Sequence, residues 1–202
     1  MKLLITGFDA FPGVQVNASA KLIEHWRREP PVWNYQTEYA VLPTSYRAVE
    51  EQLTALLLMH HPDLVVMMGV HGIGNGIRVE RIALNIDDCN YPDVAGEVKQ
   101  GRRISNTGPV AISTSVDLLA LREYMIRRGT EIEISNHAGT YVCNHAYYVA
   151  LHSIASKHAK CKAIFVHLPS GLESSEPAHM RAHVDGQSIV MQDLVRGLES
   201  CI

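Results

Sequence analysis

The sequence predicts an α/β fold: a three-layer α/β/α sandwich around a mixed, mostly parallel sheet. Three observations carry this. Strand-type and helix-type runs alternate along the chain, the pattern of helices covering both faces of a sheet. The run at 63–68, DLVVMM, is apolar after its first residue, as a strand buried on both faces is. The run at 77–86 follows it too closely for a helical crossover, so it is expected to run antiparallel and make the sheet mixed.

Residues 2–6 are a short apolar run closed by Gly7, a first strand, and a loop at 8–17 follows. Asn17 is placed to cap a helix over 18–28, which Glu29-Pro30-Pro31 stops. Residues 37–42 alternate and read as a strand. Thr44 or Ser45 then caps a helix to about Met59, with apolar positions at Val49, Leu53, Leu56 and Leu57. After the strand at 63–68 comes a glycine-rich loop, 69–76, and then the 77–86 strand, apolar in places on both faces. Residues 87–109 are polar and irregular, too long for an idle connection, and read as a functional or subunit-contact loop. Helix 116–128 ends at Gly129. Strand 131–135, helix 142–156, strand 162–168 and a helix over 178–198 complete the chain.

The bulk numbers narrow the class. At 202 residues, 47% hydrophobic and 19% charged, the chain suits one domain, 1–202, with a sizeable core. A net charge of −3 gives no reason to expect nucleic acid or an anionic membrane as partner. No apolar run approaches the roughly 20 residues that cross a bilayer. The N-terminus is interrupted too soon for a signal peptide. None of the four cysteines, 89, 143, 161 and 201, forms a CxxC pair, and a chain with a normal core needs no disulfides. The expectation is a cytoplasmic protein with reduced thiols.

In open α/β sheets, sites form at the carboxyl ends of the strands. Phe8 and Phe11 follow the first strand, the glycine loop the third, and Cys143 the 131–135 strand. His167 lies near the end of its own strand, and Glu80 near the start of one running back from the same edge. Cys143 also falls in the first turn of a helix, where N–H groups and the helix dipole favour a thiolate. A thiol needs a neighbouring imidazole to take its proton, and a carboxylate fixes the imidazole's tautomer. Backbone N–H groups near Cys143 are in place to hold an oxyanion.

GFDAF at 7–11, VERIALNIDD at 79–88, SNHAGTYVCNHAYY at 135–148 and FVHLP at 165–169 resemble the pyroglutamyl-peptidase I (pyrrolidone-carboxylate peptidase) family of cysteine peptidases. The matches fall in family order across nearly the whole chain. The resemblance implies removal of an N-terminal 5-oxoproline residue from peptides without a cofactor. It assigns the nucleophile to Cys143, the base and acid to His167 and the orienting carboxylate to Glu80. It places Phe8 and Phe11 around the lactam, with Asn17 and Val142 nearby, and implies a homo-oligomer, commonly a tetramer. The departures from the family pattern are Ala10 and Pro12, Val70-His71-Gly72-Ile73, Asn90 and Tyr91, and His137. They bear on the pocket's shape. The alternative is a non-catalytic or altered-specificity binding protein on the same fold.

Plainer readings stand beside these. Glu80 would also suit a solvated strand residue paired with Arg78 or Arg81. His137, Cys143 and His145 lack any zinc spacing, and no metal is expected. His145 is expected to pack or cap. Gly72–Gly76 lacks the lysine of a phosphate loop. Asp87-Asp88 reads as a turn pair or salt bridge.

Overall fold

The computed structural model describes residues 1–72, 76–157, 160–170 and 177–201. The strands are β1 (Lys2–Phe8), β2 (Gln36–Leu42), β3 (Leu64–His71), β4 (Ile77–Leu84), β5 (Ala111–Ser113), β6 (Ile132–His137) and β7 (Lys162–Pro169). The helices are α1 (Ala18–Arg28), α2 (Tyr46–His60), α3 (Leu118–Arg127), α4 (Val142–Lys157) and α5 (Pro177–Leu198). One sheet has the order β2-β1-β3-β7-β4-β5, with β6 pairing β4 along its other side. β1, β2, β3 and β7 are mutually parallel. β4 runs against β7, as the short connection from β3 requires, and β6 runs with β4. The sheet is therefore mixed and the fold α/β.

Two cores lie on the two faces. Leu22, Ile23 and Trp26 of α1, Leu121 and Met125 of α3, and Met191, Leu194 and Val195 of α5 pack against Ile5, Val66, Val79 and Ile164. Leu53 and Leu57 of α2, with Ala146 and Tyr147 of α4, cover Leu4, Val65, Met67 and Phe165. The mixed pattern of β4 has a simple cause. Ile77 and Val79 enter the first core and Ala83 the second, so the alternation changes phase within the strand. Among the described residues, no helix is long and apolar enough to cross a membrane.

Several details differ from the sequence-based expectations. Gly7 does not end β1; it pairs with Val41 and lets the strand lie against α1. A Cβ there would stand 2.6 Å from the Ser19 carbonyl oxygen. Ser45 occupies the N-cap of α2 without capping it through its side chain. Asp93 does this from the long loop, its carboxylate accepting from the Tyr46 N–H at 2.9 Å. That loop carries no regular element from 87 to 109, yet it is pinned. The Asn85 amide accepts from the N–H groups of Ile104 and Ser105, Asp93 folds back on Ala95 and Glu97, and Asp87 bridges to Arg102. β5, three residues long, gives no alternation long enough to register in a sequence.

β6 also changes how Cys143 reaches the site. Because β6 runs with β4, its carboxyl end points away from the edge where β1, β3 and β7 end. Cys143 does not sit at the carboxyl end of a co-directional strand. Residues 138–141 carry the chain back, and α4 begins beside Gly69 of β3.

Candidate active site

The loop after β1 is held by two side chains. The Asp9 carboxylate accepts from the Thr44 N–H and hydroxyl at 2.7 and 2.8 Å. The Asn17 amide N–H donates to the Asp9 carbonyl at 3.0 Å, while its oxygen caps α1 through the Ser19 N–H. Inside this frame Phe11 bridges to Val14, and its ring lies 6.2 Å from that of Tyr141. Phe8 is fully buried, 6.2 Å from the Phe165 ring.

On α4, Asn144 fixes the turn that bears Cys143. Its side chain accepts from the Leu84 N–H at 2.8 Å and donates to the carbonyls of Leu84 and Ile86. One residue on, buried His145 meets both carboxylate oxygens of fully buried Asp87, at 2.9 and 3.1 Å. Lys99 completes this cluster at 3.1 Å from Asp87. Burial opposes the charged imidazole, but the bonds to Asp87 and then Glu50 outweigh it, and the His145 pKa rises. Asp87 is thus a salt-bridge residue, and His145 is committed away from Cys143. Among the described residues no cluster of His, Cys, Asp and Glu is arranged to hold a metal ion. Residues 73–75 of the glycine loop lie outside the described residues.

His167 is presented by β7 beside Arg78 of β4 and Gly69 of β3. Its Nδ1–H donates to Glu80 Oε1 at 2.6 Å. Both groups are buried, so Glu80 is not a solvated strand residue; Arg78 pairs with Glu133 instead, Nε to Oε2 at 2.8 Å. An imidazole held by its Nδ1–H keeps Nε2 as its proton acceptor.

Cys143 and His167 line one cavity of about 150 Å³, together with Phe8, Phe11, Asn17 and Tyr141. A cavity of ~150 Å³ takes one benzene-sized ring. Thr44, Gly69, Val70 and Ala138 complete the lining. Val142 does not reach it; this residue is fully buried in the core beneath. His71 and His137 do not line it either. They belong to a wider groove of about 590 Å³ that meets the cavity at His167 and Ala138. In the sequence Gly69 stood only as the start of a glycine loop and Tyr141 only as part of the 135–148 motif, neither with a place in the pocket. The signals for them were a glycine ending an all-apolar strand and an aromatic two residues before the cysteine.

The Cys143 thiol departs from the expectation of a favoured thiolate. Burial, and then the charge of Glu80, push its pKa up to about 12; only its own backbone N–H acts the other way. Desolvation outweighs the helix dipole, so the sulfur rests as a neutral thiol until a base takes its proton.

A ring-sized pocket lined by both a thiol and a carboxylate-held imidazole is what acyl transfer to cysteine requires. The family model described as pyroglutamyl peptidase matches residues 1–202. The chain belongs to the pyroglutamyl peptidase family. Pyrrolidone-carboxylate peptidase of Levilactobacillus brevis is 34% identical over 203 residues, covering 100% of this chain and 96% of that one. The Clostridium botulinum relative of the same name is 31% identical over 199 residues, with 98% and 90% covered. The crystal structure of pyrrolidone carboxyl peptidase from Fervidobacterium islandicum superposes with a TM-score of 0.90 at 28% identity, covering all of both chains. Pyroglutamyl peptidase I of Bacillus amyloliquefaciens superposes at 0.83 and 27% identity, covering 96% and 94%. The chain is accordingly an α/β cysteine peptidase of the pyroglutamyl-peptidase I type.

Proposed function

We propose that this chain hydrolyses the bond after an N-terminal pyroglutamyl residue, with Cys143 as nucleophile, His167 as general base and acid, and Glu80 orienting it. The observation that carries the reading is the sharing of one ring-sized cavity by Cys143 and His167, with His167 locked by buried Glu80. A pyroglutamyl group is a compact neutral lactam with no ammonium to neutralise. Phe8, Phe11 and Tyr141 suit its ring. In this reading Asn17 frames the pocket, since its amide is committed to Asp9 and Ser19. Val142 packs behind it.

His167 Nε2 takes the thiol proton as sulfur attacks the carbonyl carbon. The tetrahedral oxyanion is held by N–H groups of the first turn of α4, which have no partner within the helix. His167 returns the proton to the leaving amine, and the C–N bond breaks to leave a thioester. Water, deprotonated by His167, then attacks the thioester, and Cys143 leaves as the thiol. Glu80 stabilises the imidazolium in both halves.

We further propose that the enzyme works as a cytoplasmic, single-domain homo-oligomer, its four cysteines free. The exposed Tyr91 and Val98 on the long loop support an apolar contact between subunits.

The test uses a pyroglutamyl aminomethylcoumarin amide. Cys143→Ala is expected to abolish release. Glu80→Gln, whose amide presents the wrong hydrogen-bond pattern to Nδ1, is expected to lower kcat by about 10³–10⁴-fold with KM little changed. Equal release by wild type and Cys143→Ala would refute the assignment.

A further inference from the structure

We propose that the groove beyond His167 receives the leaving part of the substrate, and that Arg78 within it binds a carboxylate on the first residue after the scissile bond. This rests on the cavity being the lactam pocket. If the ring fills that cavity, the bond to be cut lies between Cys143 and His167. The departing residue must then occupy space that also touches His167, because His167 protonates its nitrogen. The groove does so: His167 and Ala138 line both spaces.

The sheet register decides which side chains meet that residue. Gly69 of β3 pairs with His167 of β7, His167 with Arg78 of β4, and Arg78 with Glu133 of β6. Neighbouring strands stand about 4.8 Å apart, so Arg78 lies one strand from the general base. A carboxylate on the first leaving residue falls within reach of it.

Arg78 is also built for the task. Its side chain is 29% exposed, in the groove, and Glu133 holds it by Nε alone. Among the described residues, its two terminal nitrogens have no partner. A guanidinium fixed at Nε presents its outer fork to a planar carboxylate, which binds by two parallel charge-assisted bonds. The other charged or titratable groups lining the groove are His71, His137, His167, Glu133 and Glu80. Glu80 is taken by His167, which leaves Glu133 as the one acidic group close to the fork.

Two sources supply such a carboxylate: an acidic side chain, or the C-terminus of a pyroglutamyl dipeptide. The experiment measures kcat/KM for two matched pairs, pyroglutamyl-Ala against its amide, and pyroglutamyl-Glu-amide against pyroglutamyl-Gln-amide. We expect the carboxylate member of at least one pair to be favoured by about tenfold, mainly through KM. Preference in the first pair alone points to dipeptides, and in the second alone to acidic side chains.

Arg78→Met should lower the favoured ratio towards one, and Arg78→Lys, a point charge without the fork, should keep part of it. Glu133→Gln should raise the ratio by removing the competing charge while leaving Arg78 in place. Ratios near one in the wild type, or an Arg78→Met ratio equal to wild type, would overturn the proposal. Turnover of the coumarin amide with no carboxylate preference overturns the groove alone. Turnover of no pyroglutamyl compound overturns the lactam pocket and the groove together.

Discussion

Gly69→Ala tests the architecture of the site with one methyl group. The backbone at Gly69 does not need glycine for its conformation, since its φ is not among the positive ones. Space is the constraint. A Cβ there would stand 3.0 Å from Cys143 Sγ, and 3.0 and 3.1 Å from two carbons of the Phe165 ring. Carbon contacts are comfortable at about 3.5–4.0 Å, so something must yield by roughly 0.5–1 Å. Phe165 is fully buried among the rings of Phe8, Tyr147 and His167, at centroid distances of 6.2, 5.6 and 4.8 Å. The sulfur, on the first turn of α4 and facing a cavity, yields more easily. Overpacking of this kind costs about 1–3 kcal/mol, or a fall in Tm of roughly 2–12 °C for a chain this size. A nucleophile misplaced by about 1 Å loses on the order of 10²-fold in rate. The expected result is a folded variant with kcat on the pyroglutamyl coumarin amide down by about 10²-fold. Gly72→Ala, whose Cβ meets nothing within 4 Å, is the control. A Gly69→Ala enzyme within threefold of wild-type kcat would refute the claim that β3 packs against the nucleophile.

Two other predictions follow from the same packing. With burial and Glu80 holding the Cys143 pKa well above that of a free cysteine, its ionised fraction at pH 7 lies far below the ~3% of a free cysteine. Iodoacetamide should therefore modify Cys143 slowly in the resting enzyme, with a rate rising about tenfold per pH unit from 7 to 9. A plateau with a midpoint below pH 7 would show a standing thiolate–imidazolium pair instead. Asn144→Ala removes three partly buried hydrogen bonds to the end of β4 and the loop beyond it. Leaving those backbone groups unpaired should cost about 3 kcal/mol in urea unfolding and lower activity as the first turn of α4 loosens. A loss under about 1 kcal/mol would count against Asn144 as the anchor of that turn.

The regular elements were legible because their signals are local. Asn17 before an apolar-periodic run and Pro30 after it bound α1, and no other part of the chain is needed to read them. The four motif segments carried the family, and the resemblance assigned the roles of Glu80, Cys143 and His167, with which their places along the strands agreed. The mixed sheet followed from one short connection.

The tertiary structure decided what depends on partners far along the chain. Asp93 caps α2 from 47 residues away, a bond that the nearby Thr44 and Ser45 obscured. The direction of β6 is set by its pairing with β4, and it changes the route by which Cys143 meets His167. Arg78 and Glu133, 55 residues apart, find each other only because β4 and β6 are in register. His71 and His137, anomalies in the sequence, proved to flank the groove rather than the ring-sized cavity. The ionisation of Cys143 shows the division most clearly. A sequence places the cysteine at a helix start, where a dipole acts over one turn. How much water is excluded around the sulfur, and which carboxylate stands near it, are properties of packing alone, and there desolvation and Glu80 reverse the local preference.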